Sequence, residues 1–168
     1  MIPTEARLKA LLHYDSETGV FRWKVRRGGA AQVGSVAGRI ESKGYRQITV
    51  DWVAVMEHRL AWFYVTGEWP PYEIDHINGC RTDNRFANLR LATHGQNQQN
   101  IARAHMTNRS GLLGVTEQGG RYHARITHDG VCHRLGGFAT AEAAHQAYLK
   151  AKKSIHTHNE RALHHAAI

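Results

Sequence analysis

YEIDHINGCRTDNRFANLRLATHGQNQQN, residues 72–100, decides the reading of this 168-residue chain. Tyr72 to Ile77 has the composition of a short strand, and Asn78 to about Asn84 is a polar loop. Asn88 to Ala92 reads as a second short strand, and Thr93 is placed to cap a polar helix running to about Ala104. The order is strand, loop, strand, helix. Asp75 and His76 are adjacent on the first strand, where successive side chains point to opposite faces. Both reach one site only if the strand bends or one of them acts across its edge.

Residue chemistry narrows the options. Hydrolysis of a phosphodiester needs an activated water, a cation on the phosphate oxygens and stabilisation of the leaving oxygen. A histidine titrating near neutrality suits the first task. A carboxylate and an amide oxygen suit a hard divalent cation. One Asp-His pair does not carry this reading, because a satisfied surface histidine beside an aspartate is commoner than a catalytic base.

The wider pattern adds specificity. HRLAWFYVTGEWPPYEIDHINGCRTDNRFANLRLATHGQNQQN, residues 58–100, resembles the HNH endonuclease family in its phage and homing branch. The resemblance rests on His58-Arg59, Asp75-His76, the Asn-rich loop, Asn88-Leu89 and Asn97, and extends weakly back to HYDSETGVFRWK, residues 13–24. It implies a ββα-metal fold over about residues 72–102. It also implies that His76 is the general base, that Asp75 and Asn97 hold one divalent cation, and that Asn88 orients His76 through the loop backbone. Many family members have His where Asn97 stands. Asn is the harder ligand, which favours Mg²⁺ or Mn²⁺ over Zn²⁺ or Ni²⁺. Asn84 and Asn100 read as loop or cap residues rather than ligands. His58 and Arg59 fit packing as well as phosphate contact.

Upstream, Thr4 can cap a helix through Leu12, and Asp15 to Gly19 reads as a turn. Val20 to Val25 and Tyr45 to Val50 read as strands, and Arg26 to Gly38 as an exposed loop. That loop lacks the Gly-Lys-Ser/Thr ending of a phosphate-binding P-loop. His58 to Val65 reads as a helix stopped by Gly67. Trp23, Trp52, Trp62 and Trp69 are expected in the core.

Composition limits the partners. Hydrophobic residues make up 42% of the chain, too many for a disordered tail. No apolar run is long enough to cross a bilayer, and the N-terminus does not read as a secretory signal. Cys80 and Cys132 are far apart and belong to no CxxC pair, so they read as ordinary thiols. The net charge of +8 favours a polyanionic partner. Residues 102–168 carry nine Lys and Arg against four Asp and Glu, while the first 101 residues carry thirteen against ten.

After a polar boundary at 105–111 the pattern changes. Leu113 to Glu117, Tyr122 to Thr127 and Val131 to Leu135 read as three strands, parted by Gly119-Gly120 and by Asp129-Gly130, a hairpin signal. Thr140 caps a helix with Ala143, Ala144, Ala147, Tyr148 and Ala151 on its inner side. Tyr122, Ala124 and Ile126 share one face of the middle strand; Arg121, His123 and Arg125 share the other. SGLLGVTEQGGRYHARITHDGVCHRLGGFATAEAAHQAYLKA, residues 110–151, resembles the AP2 DNA-binding domain. The resemblance implies major-groove contact by the sheet, with Arg121, Arg125 and Arg134 as candidate contacts and His123 ranked after them; which read bases and which touch phosphate stays open.

The expectation is therefore an α+β chain. A ββα-metal core with an N-terminal β-rich extension occupies 1–104, a linker 105–111, an AP2-like three-stranded antiparallel sheet packed on one helix 112–155, and a tail 156–168. The expected activity is metal-dependent DNA cleavage with one Mg²⁺ or Mn²⁺ ion on double-stranded DNA. The setting is the cytoplasm of a bacterial or phage-infected cell, with no membrane and with a homodimer as a candidate assembly. The rival reading is a non-catalytic AP2-type regulator with a vestigial nuclease fold. An RNA-directed protein ranks third, for want of the aromatic signature of single-strand recognition.

Overall fold

The computed structural model describes residues 3–29, 31–101 and 104–156; all but the first residue of the expected tail, 156–168, lies outside them. The chain divides into two compact units, Met1–Leu91 and Ala92–Ile168. The architecture mixes helix and sheet, as α+β requires.

The first unit begins with α1 (Glu5–Leu11). The Thr4 hydroxyl accepts from the Arg7 N–H, and Leu8 and Leu11 are buried. β1 (Leu12–Asp15) pairs antiparallel with β2 (Val20–Trp23), Tyr14 opposite Phe21. Alternation sends Leu12, Tyr14, Phe21 and Trp23 inward. β3 (Arg39–Ile40), β4 (Arg46–Val50) and β5 (Val53–Met56) form a second antiparallel sheet. α2 (Glu57–Thr66) packs Leu60, Ala61 and Phe63 into the same core and ends at Gly67, whose φ of 78° supplies the left-handed cap. Arg59 donates to the carbonyls of Pro70 and Tyr72, tying the following turn to the helix. β6 (Glu73–His76) pairs with β7 (Leu89–Ala92) across a loop that ends in a single 3-10 turn, Phe86–Asn88.

A buried ion pair underlies this core. Glu57 is fully buried and its carboxyl is pushed up by desolvation, while Arg46 donates to it from β4. Arg46 also donates to the Ala37 carbonyl. Removing Arg46 would leave the buried Glu57 carboxyl without its partner, a loss of about 3–5 kcal/mol.

In the second unit, α3 (His94–Gln99) starts from a complete capping box between Thr93 and Gln96. It stops at Gln99 rather than near Ala104, because Asn100 already caps it. β8 (Val115–Gln118), β9 (Arg121–His128) and β10 (Val131–Phe138) form an antiparallel sheet with β9 central. The Arg134–Arg125 pair and the Gly136–Ala124 pair flank a bulge. α4 (Ala141–Ile155), capped by Thr140, lays Ala144 and Tyr148 against Val115, Ala124 and Ile126. Among the described residues no helix is long and apolar enough to cross a membrane.

Trp52 departs from the expectation. Trp23 is buried and Trp62 and Trp69 pack partly buried on the core, but Trp52 is 98% exposed. It occupies the two-residue turn between β4 and β5, so strand alternation never applies to it. β1, β3 and β5 also lie outside the expected strands.

Gly114, at φ 77°, packs so closely on Tyr148 that a β-carbon there would lie 2.0 Å from a ring carbon. Gly114→Ala should therefore destabilise the second unit by about 2–4 kcal/mol. Gly119→Ala, at a positive φ with open space around it, should cost only about 1 kcal/mol. Denaturant unfolding of both variants tests the contrast, and equal losses would refute the packing argument.

Candidate active site around His76

β6 alternates as strand geometry demands. Ile74 enters the core, and Asp75 and His76, both buried, meet different partners. The Asp75 carboxylate faces β7, where Arg90 places Nε 2.9 Å and Nη2 2.8 Å from Oδ2. His76 faces the loop and α2.

The loop is built to hold one side chain. Ile77 donates to the Asn88 carbonyl, and Gly79 donates to the His76 carbonyl. Asn88 staples the two ends of the loop together. Its Oδ1 accepts from the Asn78 backbone at 3.0 Å, and its Nδ2 donates to the Asp83 carbonyl at 2.8 Å and to Asn78 Oδ1. Arg85 forks onto the Asp83 carboxylate, which is held down at about 2 chiefly by that contact. Between Asp83 and Arg85 stands Asn84, with 0% exposure. Its Oδ1 lies 3.1 Å from His76 Nε2.

Asn84 is fixed from behind by the N-terminal hairpin. The Tyr14 hydroxyl donates to its backbone carbonyl at 2.7 Å. Gly19 lies against its backbone so tightly that a β-carbon at Gly19 would sit 2.5 Å from the Asn84 carbonyl carbon and 2.3 Å from the Arg85 nitrogen. Glycine is required there twice over, by contact and by a φ of 72°.

Aromatic rings close the other side of His76. The His58 ring stands edge-on to it, centroids 5.2 Å apart, and Tyr45 contacts both rings at 5.4 and 5.9 Å. The Arg81 guanidinium covers Tyr45 at 5.0 Å and donates to the Lys43 carbonyl. Burial pushes the His58 imidazole down to about 3, with the nearby His76 and Arg59 charges adding to the effect. Burial also lowers His76, opposed by its bond to Asn84 and by the Asp75 charge. Both rings are therefore neutral imidazoles near pH 7.

The other candidates from the sequence lie elsewhere. Asn97 is half-buried on α3, in the second unit, and its backbone N–H donates to Thr93. Arg121, His123, Arg125 and Arg134 all lie exposed on the sheet face opposite α4. Arg125 and Arg134 are direct cross-strand partners, and His123 pairs with Gly137 and Thr116. With Gln118 they line a shallow cavity of about 390 Å³. Among the described residues no set of three or more His, Cys, Asp or Glu side chains is arranged to hold a metal. Asp75 nonetheless has the chemistry of a cation ligand: a buried oxygen donor whose negative charge already draws a cationic group.

Asn84, Arg90, Tyr45 and Arg81 were not singled out as site residues from the sequence. For Arg90 a signal existed, since opposite charges on neighbouring antiparallel strands pair across a sheet. For Asn84 the loop composition offered three further asparagines or aspartates and no means of choosing among them.

Residues 55–99 match a family model described as HNH endonuclease. A 75-residue stretch, 45% of the chain, is 33% identical to an uncharacterized HNH endonuclease of Acanthamoeba polyphaga mimivirus and covers 38% of that protein. No solved structure matches.

His58 makes a pH signature testable. Below pH 6.5 the unfolded chain protonates this imidazole and the folded chain does not, so stability falls as pH drops from 6.5 towards 3. At about pH 5.5 the loss from this group alone is about 1.4 kcal/mol. Urea unfolding at neutral and mildly acid pH should show His58→Phe losing that much less than the parent; an equal loss would remove His58 as the source. The segment bearing Asp75, His76, Asn84, Asn88 and Asn97 is thus similar to the HNH endonuclease family from β5 to the end of α3.

Proposed function

We propose that this chain is a metal-dependent DNA endonuclease that hydrolyses phosphodiester bonds, with His76 as its general base. The observation that carries the reading is the buried contact between His76 Nε2 and Asn84 Oδ1, within a segment matched by the HNH endonuclease family. A carbonyl oxygen accepts only, so the imidazole donates its Nε2 proton to Asn84 and keeps its lone pair on Nδ1. Nδ1 is then the atom that takes a proton from the attacking water. His58 and Tyr45 pack on the ring and exclude water from its flanks, and Asn88 braces the loop that presents Asn84.

Asp75 and Asn97 are the proposed holders of one Mg²⁺ or Mn²⁺, Asn97 on the sequence reading alone. A cation there would offset charge on the scissile phosphate and the leaving oxygen. Arg90 holds the Asp75 carboxylate in place on β6 through two bonds to Oδ2. Double-stranded DNA is the proposed substrate of the head, residues 1–104, and the ligand of the AP2-like module, residues 112–155. The exposed Arg121, His123, Arg125 and Arg134 support that second role. A single site cuts both strands only as a homodimer or by successive nicks.

His76→Ala should lower single-turnover cleavage by about 10²–10⁴-fold while leaving DNA affinity near that of the parent. EDTA should stop cleavage and added Mg²⁺ or Mn²⁺ restore it; cutting that persists in chelator rules out the metal-dependent reading. A plasmid-nicking assay separates the enzyme from the non-catalytic regulator, which binds and does not nick.

Asn84→Leu removes the acceptor with little change in volume. It should lower kcat by about 10–100-fold with a smaller change in KM. The ¹⁵N shifts of His76 in the parent should report the Nε2–H tautomer, and finding the proton on Nδ1 would overturn the assignment.

A further inference from the structure

The turn joining β4 to β5 is Asp51-Trp52, flanked by the register pair Val50–Val53. Both residues have positive φ, 47° and 68°. Such a turn matches the strand twist and is normally made by Asn-Gly or Asp-Gly. A tryptophan at the second position is strained, and at 98% exposure it gains no burial in return. The surroundings hold it there. Arg7 of α1 donates to Asp51 Oδ2 at 2.7 Å and to Oδ1 at 3.0 Å, and Arg27 donates to Oδ1 at 3.2 Å. The tip is therefore clamped by two separate segments, and the indole is presented on a rigid mount.

The neighbourhood is cationic. Arg7 and Arg27 outnumber the one carboxylate they share. Lys24, Arg26 and Arg27 follow one another along the exposed start of the adjoining loop. Lys24 reaches the Lys9 carbonyl and so lies beside α1, the helix that also bears Arg7. An exposed aromatic amid excess positive charge fits a polyanion with flat apolar faces between its phosphates. Duplex DNA has that chemistry, and a pre-formed mount avoids the ordering cost of binding. β4 begins beside Tyr45, which touches His76. Five strand residues at about 3.4 Å each place the tip roughly 17 Å from Tyr45, about five base pairs along a duplex.

We infer that Trp52 is a DNA-contacting wedge, set against the sugars and base edges of the duplex away from the scissile bond, while the adjoining arginines and lysines meet its phosphates. The inference rests on the nuclease reading for its choice of partner, but assigns a contact outside the His76 site.

The test measures binding of a labelled duplex several helical turns long, by anisotropy in EDTA so that nothing is cut. Trp52→Gly and Trp52→Asn suit the positive φ and should leave the thermal midpoint unchanged or raised. Both should weaken duplex binding by roughly 5- to 100-fold, and Trp52→Phe by much less. Duplex affinity equal to the parent's overturns the inference. So does a loss that comes with a lowered midpoint in both variants, since Trp52 then serves the fold. A change confined to anionic vesicles or to self-association assigns the tip to a membrane or a second copy, and also overturns it. If the parent neither binds nor nicks duplex DNA, the nuclease reading itself falls; if the parent does both and Trp52→Gly binds as tightly, only the wedge falls.

Discussion

The burial of Asn84 between the N-terminal hairpin and His76 is the constraint on which the first unit depends. A polar side chain with no exposure is tolerated only if its position is fixed and its main bond is made. The sequence meets that demand from both sides. Behind Asn84, the Tyr14 hydroxyl takes up the backbone carbonyl and Gly19 lets the β1–β2 turn lie flush against it. In front, its amide oxygen meets His76. The N-terminal strands are thus more than an appendage to the ββα segment. They form the wall against which its loop is set, and that wall needs a glycine with positive φ where its turn meets the loop.

Strand geometry then separates the two residues that the sequence places side by side. Asp75 and His76 face opposite sides of β6 and meet different environments. Asp75 has a guanidinium on its oxygen. His76 has an amide oxygen, two aromatic rings and little water, and stays neutral. A neutral imidazole is what the proposed proton acceptance by His76 requires. The buried Glu57–Arg46 pair reinforces the arrangement, because Glu57 precedes His58 at the start of α2 and Arg46 follows Tyr45 at the start of β4. One ion pair therefore sets the two elements whose aromatic side chains pack on the His76 ring.

Much of this was legible in the sequence, wherever the signal was local or periodic. The Thr4, Thr93 and Thr140 caps, the Gly67 stop, the strand-loop-strand-helix order and the inward face of β9 all follow from spacing and residue type. What escaped depends on contacts between distant segments. β1 and β5 abut helices without a turn residue to mark the change, and β3 is two residues long. Asn84 differs from its neighbours in the loop only because Tyr14, seventy positions earlier, reaches it. Trp52 departs from the core because composition alone sends tryptophan inward, whereas a two-residue hairpin turn has no inward face to offer. The helix bearing Asn97 is shorter than its polar run, which continues past the residue that caps it.

Within the first unit, the remaining discords between local chemistry and fold have a pattern. Nδ2 of Asn84 and Nδ1 of His58 are buried without a hydrogen-bond partner, and both belong to side chains packed on His76. Each costs about 1–3 kcal/mol in lost solvation. Trp52 adds backbone strain of about 1–3 kcal/mol at a position where burial returns nothing. A chain selected for stability alone would place Leu beside a buried imidazole and Gly at the hairpin tip. Costs of this kind persist where a ring must be held in one orientation or a surface must be presented in one shape. They fall here on the ring proposed to take the proton and on the turn inferred to hold the duplex.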